Sequence, residues 1–271
     1  MSVEKNQELQ LLNRDEYGEP DAPILLIVHG LFGSARNWRA IAKRMSAEYR
    51  VIVVDNRNHG HSFHDPVMNY PVMADDLARV ITAAGRPAMV LGHSMGGKAS
   101  MYLALRYPEL VTGLMVGDIA PIKYVHGMGN VAHANAMLSI DLATCKTRAE
   151  VAALLAQSVT DPSLQAFFLQ SLKIDDDGAH WLPNLAVLKS EMATIVDFPE
   201  TDRTYDGPTL FLAGEESDFI TDDGRDRAVE LFPNARFAKL KAAGHWLHAD
   251  QPRAFMELLQ AFTTRVAGLS E

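Results

Sequence analysis

The stretch Pro87-Ala88-Met89-Val90-Leu91-Gly92-His93-Ser94-Met95-Gly96-Gly97 decides how this chain is read. Its first five residues are a short apolar run of the kind that forms a buried strand. From Gly97 to Tyr107, small and apolar residues read as a helix. Between them, Gly92-His93-Ser94-Met95-Gly96 forms a G-x-S-x-G motif. A serine on so tight a strand-to-helix turn is held in a strained backbone conformation, with its oxygen raised clear of the sheet. The flanking glycines leave room where a Cβ would strike the adjacent strand and helix. An ordinary serine in a glycine-rich turn is the alternative. The strand–turn–helix setting favours a nucleophile at Ser94.

Outward from this motif, Val-, Ile- and Leu-rich runs alternate with helical segments. Ile24–His29, Val51–Asp55, Ala88–Leu91, Gly113–Gly117 and Thr209–Ala213 read as buried strands. Arg36–Met45, Val72–Ala84 and Lys98–Tyr107 read as the helices between them. Continuous apolar strands separated by helices predict an α/β fold, with a mostly parallel central sheet covered on both faces. Leu9–Leu12 is a candidate early edge strand and Arg236–Leu240 a late one. Pro252–Val266 carries Phe255, Leu258, Leu259 and Phe262 at helical spacing and is expected to close the chain as a helix.

The alternation stops after Pro121. Up to about Pro199 there are helix-like stretches (Val131–Leu138, Arg148–Ser158, Ser163–Leu172, Leu185–Val196) but no convincing buried strand. Pro162, Pro183 and Asp175-Asp176-Asp177-Gly178 punctuate them. The expectation is a core of residues 1–120 and 200–271 with a helical cap, 121–199, inserted between two strands.

The 271 residues are 48% hydrophobic and 22% charged, enough for a sizeable core. The net charge of −9, without a long basic run, argues against nucleic acid or an anionic membrane surface as a partner. The single cysteine, Cys145, excludes an intrachain disulfide and reads as a small packing residue. Met1 to Asn13 lacks the pattern of a signal peptide, and no apolar run is long enough to span a bilayer. A soluble cytoplasmic protein, monomer or homodimer, without membrane insertion, is expected.

A serine hydroxyl needs a base at neutral pH. His245, in Ala243-Gly244-His245-Trp246, lies in the loop between the last strand and the last helix, which suits the order serine, acid, histidine. A turn histidine satisfied by backbone is the alternative. His248 competes but falls within or beside the closing helix. Gly30-Leu31-Phe32-Gly33 follows the first buried strand, where a main-chain N–H can face a developing oxyanion. Leu31 and Met95 are the candidate donors, each such donor being typically worth about 2.7–4 kcal/mol in the transition state. His29 reads as an organiser of that loop. Phe32 and Trp38 read as packing residues, with Phe32 a candidate pocket floor and Trp246 a candidate substrate contact.

For the acid, the residues leave two candidates. Asp118 ends one strand, in Val116-Gly117-Asp118-Ile119-Ala120-Pro121. Asp218 lies one place beyond Ser217, which stands third after Gly214, where hydrolases of this order usually carry the aspartate. Ends of neighbouring parallel strands lie close together, so either carboxylate could reach the histidine. The acid must fix the imidazole tautomer and stabilise the imidazolium, and a serine alone cannot supply that charge.

Val28-His29-Gly30-Leu31-Phe32-Gly33-Ser34, Asn37-Trp38, Val54-Asp55-Asn56-Arg57-Asn58-His59-Gly60-His61-Ser62 and Gly92-His93-Ser94-Met95-Gly96-Gly97 resemble α/β-hydrolase-fold esterases. More narrowly, they resemble the small bacterial YbfF-type esterases and their mitochondrial relatives. The resemblance spans the chain and is least specific in the cap. It implies a serine esterase or thioesterase acting on acyl esters, without metal or organic cofactor. It also implies Asp118 as the acid with Ser217 assisting the histidine; Asp218 is the alternative that the residues themselves leave open.

His59, His61, His64 and Asp65 are close enough to raise a metal site, but they occupy a turn where structural use is expected, with Asp55 and Arg57 tying it together. Asp175–Asp177 lacks the spacing of a calcium loop and reads as an exposed turn. The cap supplies Met128, Met137, Phe167, Phe168, Leu172, Trp181, Leu188 and Met192 for packing and an acyl pocket. Between Pro121 and Glu200 there are five basic and nine acidic residues. That balance favours free short- to medium-chain esters over acyl-coenzyme A. A C–C bond hydrolase with the same triad, or a binder that has lost turnover, are the competing readings. A haloalkane dehalogenase or epoxide hydrolase would carry aspartate at Ser94.

Overall fold

The computed structural model describes residues 10–124 and 127–268, with the side chains of residues 127 and 128 excepted. In chain order the strands are β1 (Arg14–Tyr17), β2 (Ile24–Val28), β3 (Arg50–Val54), β4 (Ala88–His93), β5 (Val111–Gly117), β6 (Leu172–Asp175), β7 (Gly178–Trp181), β8 (Thr209–Gly214) and β9 (Ala235–Leu240). Seven of them form one sheet in the order β1-β3-β2-β4-β5-β8-β9. Only β1 runs antiparallel; the other pairs are parallel. All five residues of β2 are buried, because a parallel strand in mid-sheet is covered on both faces.

Successive residues of a strand point to opposite faces, and the core divides accordingly. Leu26, Val28, Ile52, Val54 and Val90 join one cluster, packed by Met73 and Leu77 of α2 (Tyr70–Ala84, after α1 at Arg39–Met45) and Met101 of α3 (Met95–Arg106). Leu25, Ile27, Val51, Val53 and Met89 join the other, packed by Ile41 of α1 and by Phe255 and Leu259 near the C-terminus.

The long segment between β5 and β8 contains α4 (Gly127–Leu138), α5 (Arg148–Leu155), α6 (Pro162–Gln170), the β6–β7 hairpin, α7 (Leu185–Ser190) and α8 (Met192–Ile195). After β8 come α9 (Asp222–Leu231), β9, α10 (Leu247–Asp250) and α11 (Pro252–Ala267). Local signals set several of these starts. Thr147 and Glu150 form a capping box at α5, and Asp161 with Pro162 opens α6.

Three expectations need correction. The early edge strand is at Arg14–Tyr17, not Leu9–Leu12; Leu9 lies outside the described residues, and Leu12 is buried without being in a strand. β1 is polar because it is an edge: Glu16 faces outward and bonds Arg50 and Arg14. The inserted segment also contains two strands, although none was legible. Each has four residues of mixed polarity, pairing only with the other, so no apolar run marks them. Asp175 to Gly178 is the tip of that hairpin. The helix expected over Leu185–Val196 is broken at Glu191. Met128 belongs to α4, but its side chain lies outside the described residues.

Candidate active site

β4 delivers Ser94 to the carboxyl edge of the sheet, and α3 starts at the next residue. Ser94 has φ 53° and ψ −123°, a conformation that costs an L-residue about 1–3 kcal/mol. The surroundings hold it there. Its N–H donates to the Gly117 carbonyl at 3.0 Å, and its carbonyl accepts from the Lys98 N–H at 3.1 Å. A Cβ on Gly92 would overlap Ser100 and the Gly96 carbonyl; one on Gly96 would overlap the carbonyls of Val28 and His29. Both glycines are therefore required by close approach of β2, β4 and α3.

Asp118 follows β5 with φ 50° and is fully buried. Its carboxylate accepts three hydrogen bonds: from Gly214 N–H at 3.0 Å, the Ser217 hydroxyl at 2.5 Å and His245 Nδ1–H at 2.8 Å. These donors compensate the burial of the carboxylate's polar oxygens. Asp218 is exposed, and among the described residues its carboxylate has no hydrogen-bond partner at His245. The His245 loop lies against the end of β8, so close that a Cβ on Gly214 would overlap the Ala243 and Gly244 carbonyls. Phe219 stacks on the His245 ring with centroids 4.2 Å apart. With Nδ1 turned to Asp118, the His245 ring lines the cavity.

Ser94 and His245 line the same cavity, of about 1570 Å³. No hydrogen bond joins the Ser94 hydroxyl to the His245 ring among the described residues, and such bonds commonly tighten only with substrate in place. The N–H groups of Leu31 and Met95 donate to no protein acceptor among the described residues. The neighbouring Phe32 N–H is occupied, donating to His59 Nε2 at 3.1 Å. A Cβ on Gly30 would come within 3.2 Å of Ser94 Cβ, which measures how near the Leu31 loop lies to the serine. Phe32 is buried and packs edge-on against Phe168, with centroids 5.5 Å apart; Trp246 faces Phe167 at 5.3 Å. Both Phe32 and Trp246 line the cavity, with Leu31, Trp38, Leu164 and Phe167.

Several organising residues escaped the sequence reading. His93, the variable second position of the motif, donates Nε2–H to the His245 carbonyl at 2.7 Å. His248 stacks on Trp38 at 4.2 Å and is half-buried. No local signal marks these contacts, because His93 and His245 are 152 positions apart. His29 was legible as an organiser: its Nε2 accepts from Asn56 N–H at 3.0 Å, and Nδ1–H donates to the Gly30 carbonyl at 2.7 Å. Asp55 accepts from Ala35 N–H and His61 N–H, and Arg57 pairs with buried Asp76 at 2.6 Å, so both tie down the loop after β3.

Burial sets the charge state of this region. It pulls the pKa of His59 down to about 3 and of His248 to about 4, and lowers His29 and His93 as well. These rings are neutral at pH 7, and those of His29, His59 and His93 serve as hydrogen-bonding groups. The cavity wall carries Arg36, Arg44 and Arg253 against Asp161, Asp250 and Glu257, so its charges balance. No group of three His, Cys, Asp or Glu side chains suited to a metal occurs among the described residues. No helix among them is long and apolar enough to cross a membrane. Cys145 is buried with Val151 and Leu172.

Known proteins resemble this chain. The family model described as alpha/beta hydrolase fold matches residues 23–252. Esterase YbfF of Escherichia coli is 36% identical, over 89% of this chain and 93% of its own length. The sn-1-specific diacylglycerol lipase ABHD11 of Mus musculus is 34% identical, over 90% and 82%. The solved structure of a marine microorganism esterase superposes with a TM-score of 0.90 at 35% identity, covering 93% of this chain and 99% of its own. The chain belongs to the alpha/beta hydrolase fold family.

Proposed function

We propose that the protein is a serine carboxylic-ester hydrolase in which Ser94, His245 and Asp118 form the triad. The observation that carries this reading is the 2.8 Å bond from His245 Nδ1–H to Asp118, beside a serine held at φ 53° in the same cavity. Ser94 Oγ attacks the acyl carbon while His245 Nε2 accepts its proton. Asp118 stabilises the imidazolium; Ser217 and the Gly214 N–H hold the carboxylate in register. The oxyanion rests on the N–H groups of Leu31 and Met95, both free of protein acceptors among the described residues. His245 then protonates the leaving alcohol, and the acyl group remains on Ser94. In the second half-reaction His245 takes a proton from water, which attacks the acyl carbon and releases the acid.

Residues 121–199 act as a cap on the core formed by the rest of the chain, with Leu164, Phe167 and Phe168 facing the cavity. The balanced wall charges favour uncharged short- to medium-chain acyl esters, with Phe32 and Trp246 contacting the substrate. The names of the relatives, an esterase and a lipase, agree with ester hydrolysis.

The test is turnover of p-nitrophenyl esters from acetate to decanoate, with Ser94→Ala beside the wild type. Loss of about 10⁵-fold or more in kcat is expected when the nucleophile is removed. Undiminished hydrolysis by the variant sinks the mechanism.

A further inference from the structure

Among the described residues Lys98 is the one lysine that the fold buries completely, with 1% of its surface exposed. It sits one turn into α3, four residues after Ser94. An ammonium has three N–H donors. All three are used, and each goes to a main-chain carbonyl: Ile122 at 2.7 Å, Val196 at 2.9 Å and Asp197 at 2.8 Å. Ile122 stands at the beginning of the segment inserted between β5 and β8. Val196 and Asp197 stand at its end. One side chain therefore holds both stems of the insert, from the helix that begins at the serine.

The surroundings are built for this grip. The ammonium lies over the face of Tyr124 at 4.6 Å and near that of Tyr70 at 5.9 Å. The Tyr124 N–H donates to the Val196 carbonyl at 2.9 Å, joining the stems directly. Its hydroxyl donates to the Phe219 carbonyl at 2.5 Å and accepts from Ala120 N–H at 2.8 Å. Phe219 is the residue stacked on His245, and Ala120 lies two places after Asp118. The Tyr70 hydroxyl donates to the Ile195 carbonyl. The Asp197 carboxylate turns outward to Lys123, so the ammonium is held by dipoles and ring faces without a direct carboxylate bond. Burial pulls the Lys98 pKa down to about 7, and the three carbonyls oppose that pull, because a neutral amine has only two N–H groups and would aim its lone pair at one of them.

We propose that Lys98 is a positioning residue whose ammonium clasps the two stems of the insert and so sets how closely α6 covers the acyl cavity. This rests on the esterase reading above. α6 contributes Leu164, Phe167 and Phe168 to the cavity, and it is tied to the core by only a few polar contacts of its own. A long acyl chain must bury itself against those side chains, whereas acetate hardly reaches them. Loosening the stems therefore weakens long-chain substrates more than short ones, and does so through KM.

The test compares Lys98→Met with wild type on p-nitrophenyl acetate and octanoate, after circular dichroism has shown the variant folded. The ratio of octanoate to acetate kcat/KM is expected to fall at least tenfold, with the fall carried by the octanoate KM. A ratio within twofold of wild type overturns the clasp. If Lys98→Met does not fold, amide exchange of the wild type decides. The Tyr124 amide is expected to exchange at least tenfold more slowly than the amides of α5, and equal rates overturn the clasp. Wild type that hydrolyses neither ester sinks the esterase reading alone, and the exchange measurement then decides the clasp.

Discussion

Strand β2 ends just before the His29–Gly33 stretch that lines the cavity, helix α6 lines it directly, and the two elements are held in different ways. Every residue of β2 is buried, and it pairs in register with β3 on one side and β4 on the other. α6 buries one residue, Phe168, and touches the core through Asn37 to Gln170 at 2.7 Å and Ser171 to the Phe32 carbonyl at 2.9 Å. The sheet edge thus offers positions fixed by many neighbours. The insert offers a wall fixed by few. Rigid positions suit the reacting groups, whose orientation decides kcat. A less constrained wall suits substrate fit, which is read in KM and in acyl-length preference.

Substitutions on the two sides are expected to separate along that line. On the sheet side, Ser94→Ala has the largest effect, as described. Asp118→Asn follows, with a loss of about 10⁴-fold in kcat, because an amide can hold His245 in the wrong tautomer. Asp218→Asn measured beside it changes kcat less than threefold. A larger loss in Asp218→Asn overturns the assignment of the acid. Ser217→Ala removes one of three donors to the Asp118 carboxylate and lowers kcat by about tenfold, the equivalent of one hydrogen bond. On the insert side, Phe167→Ala is expected to raise the octanoate KM by about three- to tenfold while acetate kcat stays within twofold. A matching fall in acetate kcat would break the division between the two sides.

The smallest effect concerns stability against acid, and it too belongs to the core. His59 and His248 have native pKa values pulled to about 3 and about 4, against about 6.5 in the unfolded chain. Between pH 6.5 and 4 the unfolded chain binds protons that the native state refuses. Stability is therefore full above pH 6.5 and falls as the pH drops, by about 1.4 kcal/mol per unit for each such ring. His248→Asn removes one of these groups. The fall in Tm between pH 6.5 and 4.5 should shrink by about 5 °C. An unchanged fall, measured by calorimetry, would mean that the His248 ring is protonated in the native state.

The same contrast explains what could be read in advance. β2, β3, β4, β5 and β8 are short apolar runs because parallel strands in mid-sheet have no wet face, so their residues announce them. Ser94 is legible because its turn demands Gly92 and Gly96. The choice between Asp118 and Asp218 was not legible from the residues alone. It depends on which strand end turns its carboxylate inward, and only the positive φ at Asp118 and the Gly214 N–H make that visible. β1 and the β6–β7 hairpin escaped for the opposite reason to β2: their faces are wet and their residues mixed. His93, Phe219 and Lys98 act through partners 152, 95 and 99 positions away, where spacing carries no signal.

We propose that Ser94 is activated by His245 and Asp118 at the carboxyl edge of the sheet. The most direct measurement is mass spectrometry of the folded protein after reaction with a fluorophosphonate. One adduct per chain, on Ser94, is expected, with none in Ser94→Ala. Folded wild-type protein that stays unlabelled, or that carries the adduct on another residue, would contradict it.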